Sequence, residues 1–260
     1  MSGAVLAPWP NRLADGRYRF GGEVHELPIT EPATGCAAHG LIAGTRFALL
    51  RQGPAELELS ATVEPRPGYP WRLRINVSFA LTADGLAQEI RATNLSEDPA
   101  PVGLGAHPYL RAGDAGRGSI DGCFLELPAD EVMLTSLPRM LPFRLVPVER
   151  EGRGFDFRRP RRIGDLSVNN AFTALRASTD GRLVARLLDA EGRGSEIEWD
   201  ARTRWIQVYT ADESTDEAHR DAVAVEPMTC APDAFNSGTD LRVLARGETA
   251  GIGFILRAVG

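Results

Sequence analysis

Apolar and polar positions alternate with a period of two along much of this chain, the pattern of strands that bury one face. The longest run places Trp71, Leu73, Ile75, Val77, Phe79 and Leu81 against Arg72, Arg74, Asn76, Ser78 and Ala80. Ala83-Asp84-Gly85 then turns the chain into a second run over 86–93, and Asp-Gly between two such runs is a hairpin signal. Residues 17–20 and 23–27 form another pair around Gly21-Gly22, which supplies the positive φ that a tight turn demands. Further strands are predicted over 183–189, 196–199, 205–209, 241–245 and 253–258, with short links that favour antiparallel neighbours. Residues 94–101, 111–118, 169–172 and 232–238 read as loops, and 134–162, with its scattered prolines, shows no strand pattern. No helical period, internal repeat or low-complexity tract interrupts this picture. The expected architecture is all-β: one large antiparallel β-sandwich domain over residues 1–260.

Two stretches break the alternation in the same way. In Asp221-Ala222-Val223-Ala224-Val225-Glu226-Pro227, Val223 and Val225 share one face, and Ala222, Ala224 and Glu226 share the other. In Val102-Gly103-Leu104-Gly105-Ala106-His107-Pro108, read as a single strand, Gly103, Gly105 and His107 stand together opposite Val102, Leu104 and Ala106. Each time, two very small residues precede a proton-transfer group and a proline. If both faces look into one cleft, the small residues form a floor for a ligand, with Glu226 and His107 at its rim. Glycines in a strand also mark bulges or close backbone approach, so neither stretch decides the matter alone.

Composition narrows the partners. With 43% hydrophobic and 25% charged residues the chain has an ordinary globular balance, and a net charge of −6 without a basic, aromatic-studded stripe argues against nucleic acid. No apolar run approaches the roughly 20 residues that a membrane helix needs, and the N-terminus lacks a signal-peptide pattern, so no membrane partner is expected. Cys36, Cys123 and Cys230 are scattered, and His25, His39, His107 and His219 lack metal-ligand spacing. No metal is therefore expected, and a reducing, cytoplasmic setting fits best. Arg12 lies among the turn formers of residues 8–16, in reach of stacking on Trp9, and His39 sits in a loop of small residues. Phe157-Arg158-Arg159-Pro160-Arg161-Arg162 is a basic run; a solvated face is the simpler reading and a phosphate clamp the other.

The segments Pro8-Trp9-Pro10-Asn11-Arg12, His39-Gly40, Ala106-His107-Pro108-Tyr109, Val225-Glu226-Pro227 and Pro232-Asp233-Ala234-Phe235-Asn236 together resemble the aldose 1-epimerases, also called galactose mutarotases. They follow the family order across most of the chain. The resemblance implies a large twisted β-sandwich, the galactose mutarotase-like supersandwich, with a sugar cleft on one sheet. It implies Glu226 as general base, His107 as general acid, and His39 and Arg12 as residues that bind and orient a small-molecule sugar. Family members usually carry further strands before the Pro-Trp-Pro-Asn-Arg segment, which here begins at residue 8. An edge is then expected to be missing; either a second copy covers it, giving a homodimer, or the start of the chain has been clipped. At Asn169 the family's loop normally presents an aspartate to sugar hydroxyls. An asparagine has one accepting oxygen and must offer its NH₂ to a hydroxyl lone pair.

The chemistry so implied needs two proton-transfer groups and no cofactor, one group for the C1 hydroxyl and one for the ring oxygen, each worth about 10²- to 10⁴-fold. Arg12 is expected to keep Glu226 ionised, while His107 carries a proton. Three other readings remain: a hexose 6-phosphate 1-epimerase using Arg158 to Arg162, a non-catalytic carbohydrate-binding sandwich, and a glycoside hydrolase. The last usually needs two carboxylates, and only one strong candidate is present.

Overall fold

A computed structural model describes residues 2–150, 154–178, 181–212 and 218–260. Among these, two large antiparallel sheets dominate. One runs Val5–Leu6, Gly105–Ala106, Val223–Met228, Trp205–Tyr209, Asn169–Leu175, Ala129–Ser136, Leu141–Pro147, with Tyr109–Leu110 also paired to Val223–Met228. The other runs Arg161–Arg162, Phe124–Glu126, Val184–Leu188, Gly194–Trp199, Thr249–Val259, Gly85–Asn94, Leu73–Thr82, Glu56–Val63, Ala48–Gln52. Neither closes into a barrel, and three two-stranded ribbons flank them.

The alternation that predicts the strands also builds the core. Leu73, Ile75 and Val77 face Ile90 and Ile252 across neighbouring strands, while Val132, Phe172, Ile206, Val208, Val223 and Val225 line the opposing sheet, and all belong to one continuous apolar cluster. At roughly 25 cal/mol per Å² of apolar surface removed from water, this shared interior is the main stabilising term.

Several predicted features shift. Asn169–Leu175 is a central strand rather than a loop. Ala129–Ser136 and Leu141–Pro147 form a hairpin whose second strand lies within the proline-scattered region 134–162. Its prolines, Pro142 and Pro147, lie on the sheet's outermost strand, where a missing backbone donor costs no ladder bond. Glu56–Val63 and Ala48–Gln52 extend the other sheet, and every residue of Ala48–Gln52 is exposed along its edge. Residues 232–238 contain a single helical turn, Ala234–Ser237.

The stretch from Val102 to Pro108 is not one strand. Ala100–Val102 pairs with Arg242–Leu244 in a ribbon, whereas Gly105–Ala106 belongs to the first large sheet. Between them, Gly103 N donates to the Pro8 carbonyl and Leu104 N to the Thr229 hydroxyl, so the chain steps from one pairing to the other. A Cβ on Gly103 would lie 2.4 Å from Cys230 Sγ, and one on Gly105 3.0 Å from Pro10 Cβ and from the Pro227 carbonyl. These glycines admit the Pro8–Pro10 segment and the neighbouring strand to close contact. They do not floor a ligand cleft.

Candidate active site

The face that gathers the candidate residues follows from register. In Val223–Met228, Ala224 and Glu226 point away from the core-facing Val223 and Val225, as the alternation predicts. Glu226 lies opposite Gln207, Gln207 opposite Ala171, and Tyr209 between Ala224 and Asn169. Tyr109 also pairs with Ala224, so one sheet face presents Tyr109, Glu226, Gln207, Tyr209 and Asn169. His107 arrives from the link between Gly105–Ala106 and Tyr109–Leu110, and its ring stacks on Tyr109 with centroids 5.1 Å apart.

Arg12 and His39 are delivered by a ribbon. Arg12–Ala14 pairs with Cys36–Ala38, putting Arg12 opposite Ala38, and His39 N donates to the Asn11 carbonyl. His39 holds a φ of 62°, an uncommon left-handed conformation for a non-glycine residue. Gly40 follows at φ 78°, where a Cβ would sit 2.0 Å from the Ala7 carbonyl oxygen. Only glycine fits there, and the tight turn presses the His39 ring edge-on to His107 with centroids 5.6 Å apart.

All five predicted residues therefore converge, but their partners differ from expectation. Arg12 does not stack on Trp9; its Nε and Nη2 donate to the two Glu31 oxygens at 2.6 and 2.9 Å. Trp9 instead packs edge-on against Phe235 and donates to the Ala37 carbonyl. Burial works against the Glu31 charge, yet hydrogen bonds from Arg12 and Thr34 hold its carboxyl below the usual range.

Glu226 is 2% exposed, and burial pushes its carboxyl up to about 8 although the Arg12 charge opposes the shift. The expectation that Arg12 keeps Glu226 ionised is thus reversed: desolvation outweighs a guanidinium already committed to Glu31. His107 Nε2 lies 3.3 Å from Glu226 Oε1. Burial, reinforced by His39, depresses His107 to about 3, and burial with the Arg12 charge depresses His39 to about 4, against the pull of Glu31. His107 as a free-standing imidazolium is therefore also reversed. Burial thus favours the neutral form of both groups, and at 3.3 Å a proton carried by Glu226 lies within reach of His107 Nε2.

Three atoms at this point have no hydrogen-bond partner: Glu226 Oε2, His107 Nδ1 and His39 Nδ1. Buried polar atoms are normally satisfied, and a cluster left open marks a place for a polar ligand.

Sequence reading did not assign Asn11, Glu31, Tyr109 or Gln207. Asn11 and Tyr109 lay inside the quoted segments without a role. Gln207 had a signal, being the one strongly polar residue in the apolar strand Trp-Ile-Gln-Val-Tyr, 4% exposed. Glu31 had none, since its pairing with Arg12 spans nineteen residues that include the whole Arg17–Phe20/Glu23–Glu26 hairpin. The basic run lies elsewhere. Arg158 is paired with Asp130, Glu149 and Asp156, Arg161 stacks on Phe157, and Arg161–Arg162 forms the far edge of the second sheet. Among the described residues, no group of three or more His, Cys, Asp or Glu is placed to hold a metal ion, and no helix is long and apolar enough to cross a membrane.

The sequence model of the aldose 1-epimerase family matches residues 1–257. The chain belongs to that family. It is 33% identical to the uncharacterised Escherichia coli (strain K12) protein YihR over 95% of this chain and 75% of that protein. Against mouse galactose mutarotase the identity is 28%, over 81% of this chain and 62% of the relative's length. A galactose mutarotase-like protein from Clostridium acetobutylicum has the same fold, with a TM-score of 0.84 at 18% identity, covering 98% of this chain and 78% of that one. Membership of this family indicates an isomerase-type enzyme on a galactose mutarotase-like β-sandwich.

Proposed function

We propose that this protein is an aldose 1-epimerase that interconverts the α and β anomers of a free aldose by general acid–base ring opening. The observation that carries the reading is the buried Glu226–His107 contact at 3.3 Å beside open polar atoms. Anomer exchange removes a proton from the C1 hydroxyl and adds one to the ring oxygen as the C1–O5 bond breaks. Both oxygens are bonded to C1, so the two groups that serve them must be neighbours, as these are. A pair holding one proton has one site to give and one to take. Glu226 accepts the hydroxyl proton once its own has passed to His107, and His107 protonates the ring oxygen; rotation about C1–C2 and the reverse transfers close the ring on its other face. Protons balance, and no co-reactant is consumed. His39 and Arg12 would bind and orient the sugar, with Asn169 at the far side of the face. The 6-phosphate reading loses its source of cations, because Arg158 is already paired and the Arg161–Arg162 strand lies at the far edge of the other sheet.

The test is anomer-resolved NMR or polarimetry with free hexoses, pentoses and hexose 6-phosphates. Glu226→Gln and His107→Asn should each slow the catalysed exchange by at least about 10²-fold with the fold retained. Full activity in either variant rules the mechanism out.

A further inference from the structure

A directed hydrogen-bond relay crosses the face of the site, and its direction is fixed at one end. The Arg12 backbone N–H, which can only donate, gives its hydrogen to Asn11 Oδ1 at 2.8 Å. Asn11 must then present its NH₂ onward, and Nδ2 donates to Gln207 Oε1 at 3.1 Å. With its oxygen taken, Gln207 turns its own NH₂ outward, and Nε2 donates to Asn169 Oδ1 at 2.8 Å. Each amide hands its neighbour the opposite pole. The last of them, half-buried Asn169, has one lone pair of its oxygen taken by Gln207 and, among the described residues, its Nδ2 without a partner, on the same sheet face as Glu226.

From this we infer that Asn169 is a specificity-determining residue that acts as a donor through Nδ2, selecting an aldose with a hydrogen-bond acceptor at the facing ring position and not requiring that group to donate. The inference rests on the aldose reading above and refines its substrate class. A hydroxyl satisfies such a site through a lone pair, and so does an oxygen or fluorine that carries no hydrogen. A carboxylate at position 169 would reverse this, because its second oxygen only accepts and would need a donor from the sugar. The surroundings favour the donor reading. The Arg12 guanidinium and the Glu31 carboxylate on this side of the site are paired with one another, and burial favours the neutral forms of Glu226, His107 and His39.

The experiment compares the best hexose with its monodeoxy and monodeoxyfluoro analogues at each ring position, following catalysed anomer exchange by NMR. In the unaltered protein, one position should show a deoxy penalty of at least about tenfold in kcat/KM, with the fluoro analogue at least about threefold better than the deoxy. In Asn169→Asp the order at that position should invert, fluoro becoming worse than deoxy, while the parent hexose binds with a several-fold lower KM. Gln207→Glu provides an independent route: a carboxylate there can accept from both Asn11 and Asn169, turning the Asn169 oxygen toward the sugar and inverting the order without touching residue 169. Equal fluoro and deoxy rates at every position in the unaltered protein, or an order that survives both substitutions, would overturn the inference while leaving epimerisation standing. Absence of turnover with any free aldose would instead remove the functional reading, and this refinement with it.

Discussion

Glu226→Gln should make the protein more stable, by an amount that depends on pH. A carboxyl raised from about 4.5 in the unfolded chain to about 8 in the fold binds its proton more tightly when folded. Its contribution is fully present below pH 4.5. Above that the unfolded chain ionises while the folded one does not, and about 1.4 kcal/mol of stability is lost per pH unit until the folded group also ionises near 8. The substituted amide does not titrate, yet it keeps the shape and can donate to His107 Nε2 as the protonated carboxyl does. His107, depressed in the fold, costs the same in both proteins. The advantage of Glu226→Gln over the unaltered protein should therefore be small at pH 5 and grow by about 3 to 4 kcal/mol by pH 8, an upper figure for a buried pair. For a chain of this size that corresponds to roughly 5–15 °C in Tm at the alkaline end. Parallel thermal or urea unfolding at several pH values reads the difference directly. A stability gap that is the same at pH 5 and pH 8 would mean that Glu226 titrates in the fold as it does in the unfolded chain, and the shared-proton account would fall.

Three further outcomes follow from the same geometry. The kcat/KM profile should be level from about pH 5 to 7 and fall as pH rises through about 8, where the pair loses its shared proton, because kcat/KM reports the free enzyme; undiminished activity at pH 9.5 would contradict this. A neutral hexose should be turned over better than its 6-phosphate, and neutralising Arg158, Arg159, Arg161 and Arg162 together should leave the rate with the neutral sugar within about twofold, whereas a preference for the phosphate that this change abolishes would restore the clamp. Gly103→Ala should lower unfolding stability by about 1 to 3 kcal/mol, since its Cβ would meet Cys230 Sγ at 2.4 Å; an unperturbed melting curve would return the glycine to the cleft floor.

Period-two alternation carried most of the second sheet into view, because its strands bury one face and solvate the other. It failed where that condition fails. Leu141–Pro147 is an outer strand whose prolines imitate loop, and Asn169–Leu175 opens with two asparagines whose side chains are bonded within the sheet, Asn169 to Gln207 and Asn170 to the Met133 carbonyl. A polar residue satisfied by a neighbouring strand looks, in sequence, the same as one satisfied by water. The same limit governs the site. Glu226 and His107 were legible because they stand before prolines where the chain departs from its pattern, whereas His39 and Arg12 were legible only through the segments that carry the family resemblance.

What the sequence could not carry was the balance of charges. The expectation that Arg12 holds Glu226 ionised counted one attractive pair and left out both Glu31 and the cost of burial. The ion pair with Glu31 neutralises the Arg12 guanidinium locally, so this cation is largely spent before it acts on Glu226. Desolvation of a carboxylate that is 2% exposed then dominates, and the resting site becomes neutral. A neutral resting pair suits the proposed chemistry better than a separated ion pair does. The free site bears no cost of two buried charges, and the proton moves between two neighbours only when a sugar hydroxyl and ring oxygen are there to share it.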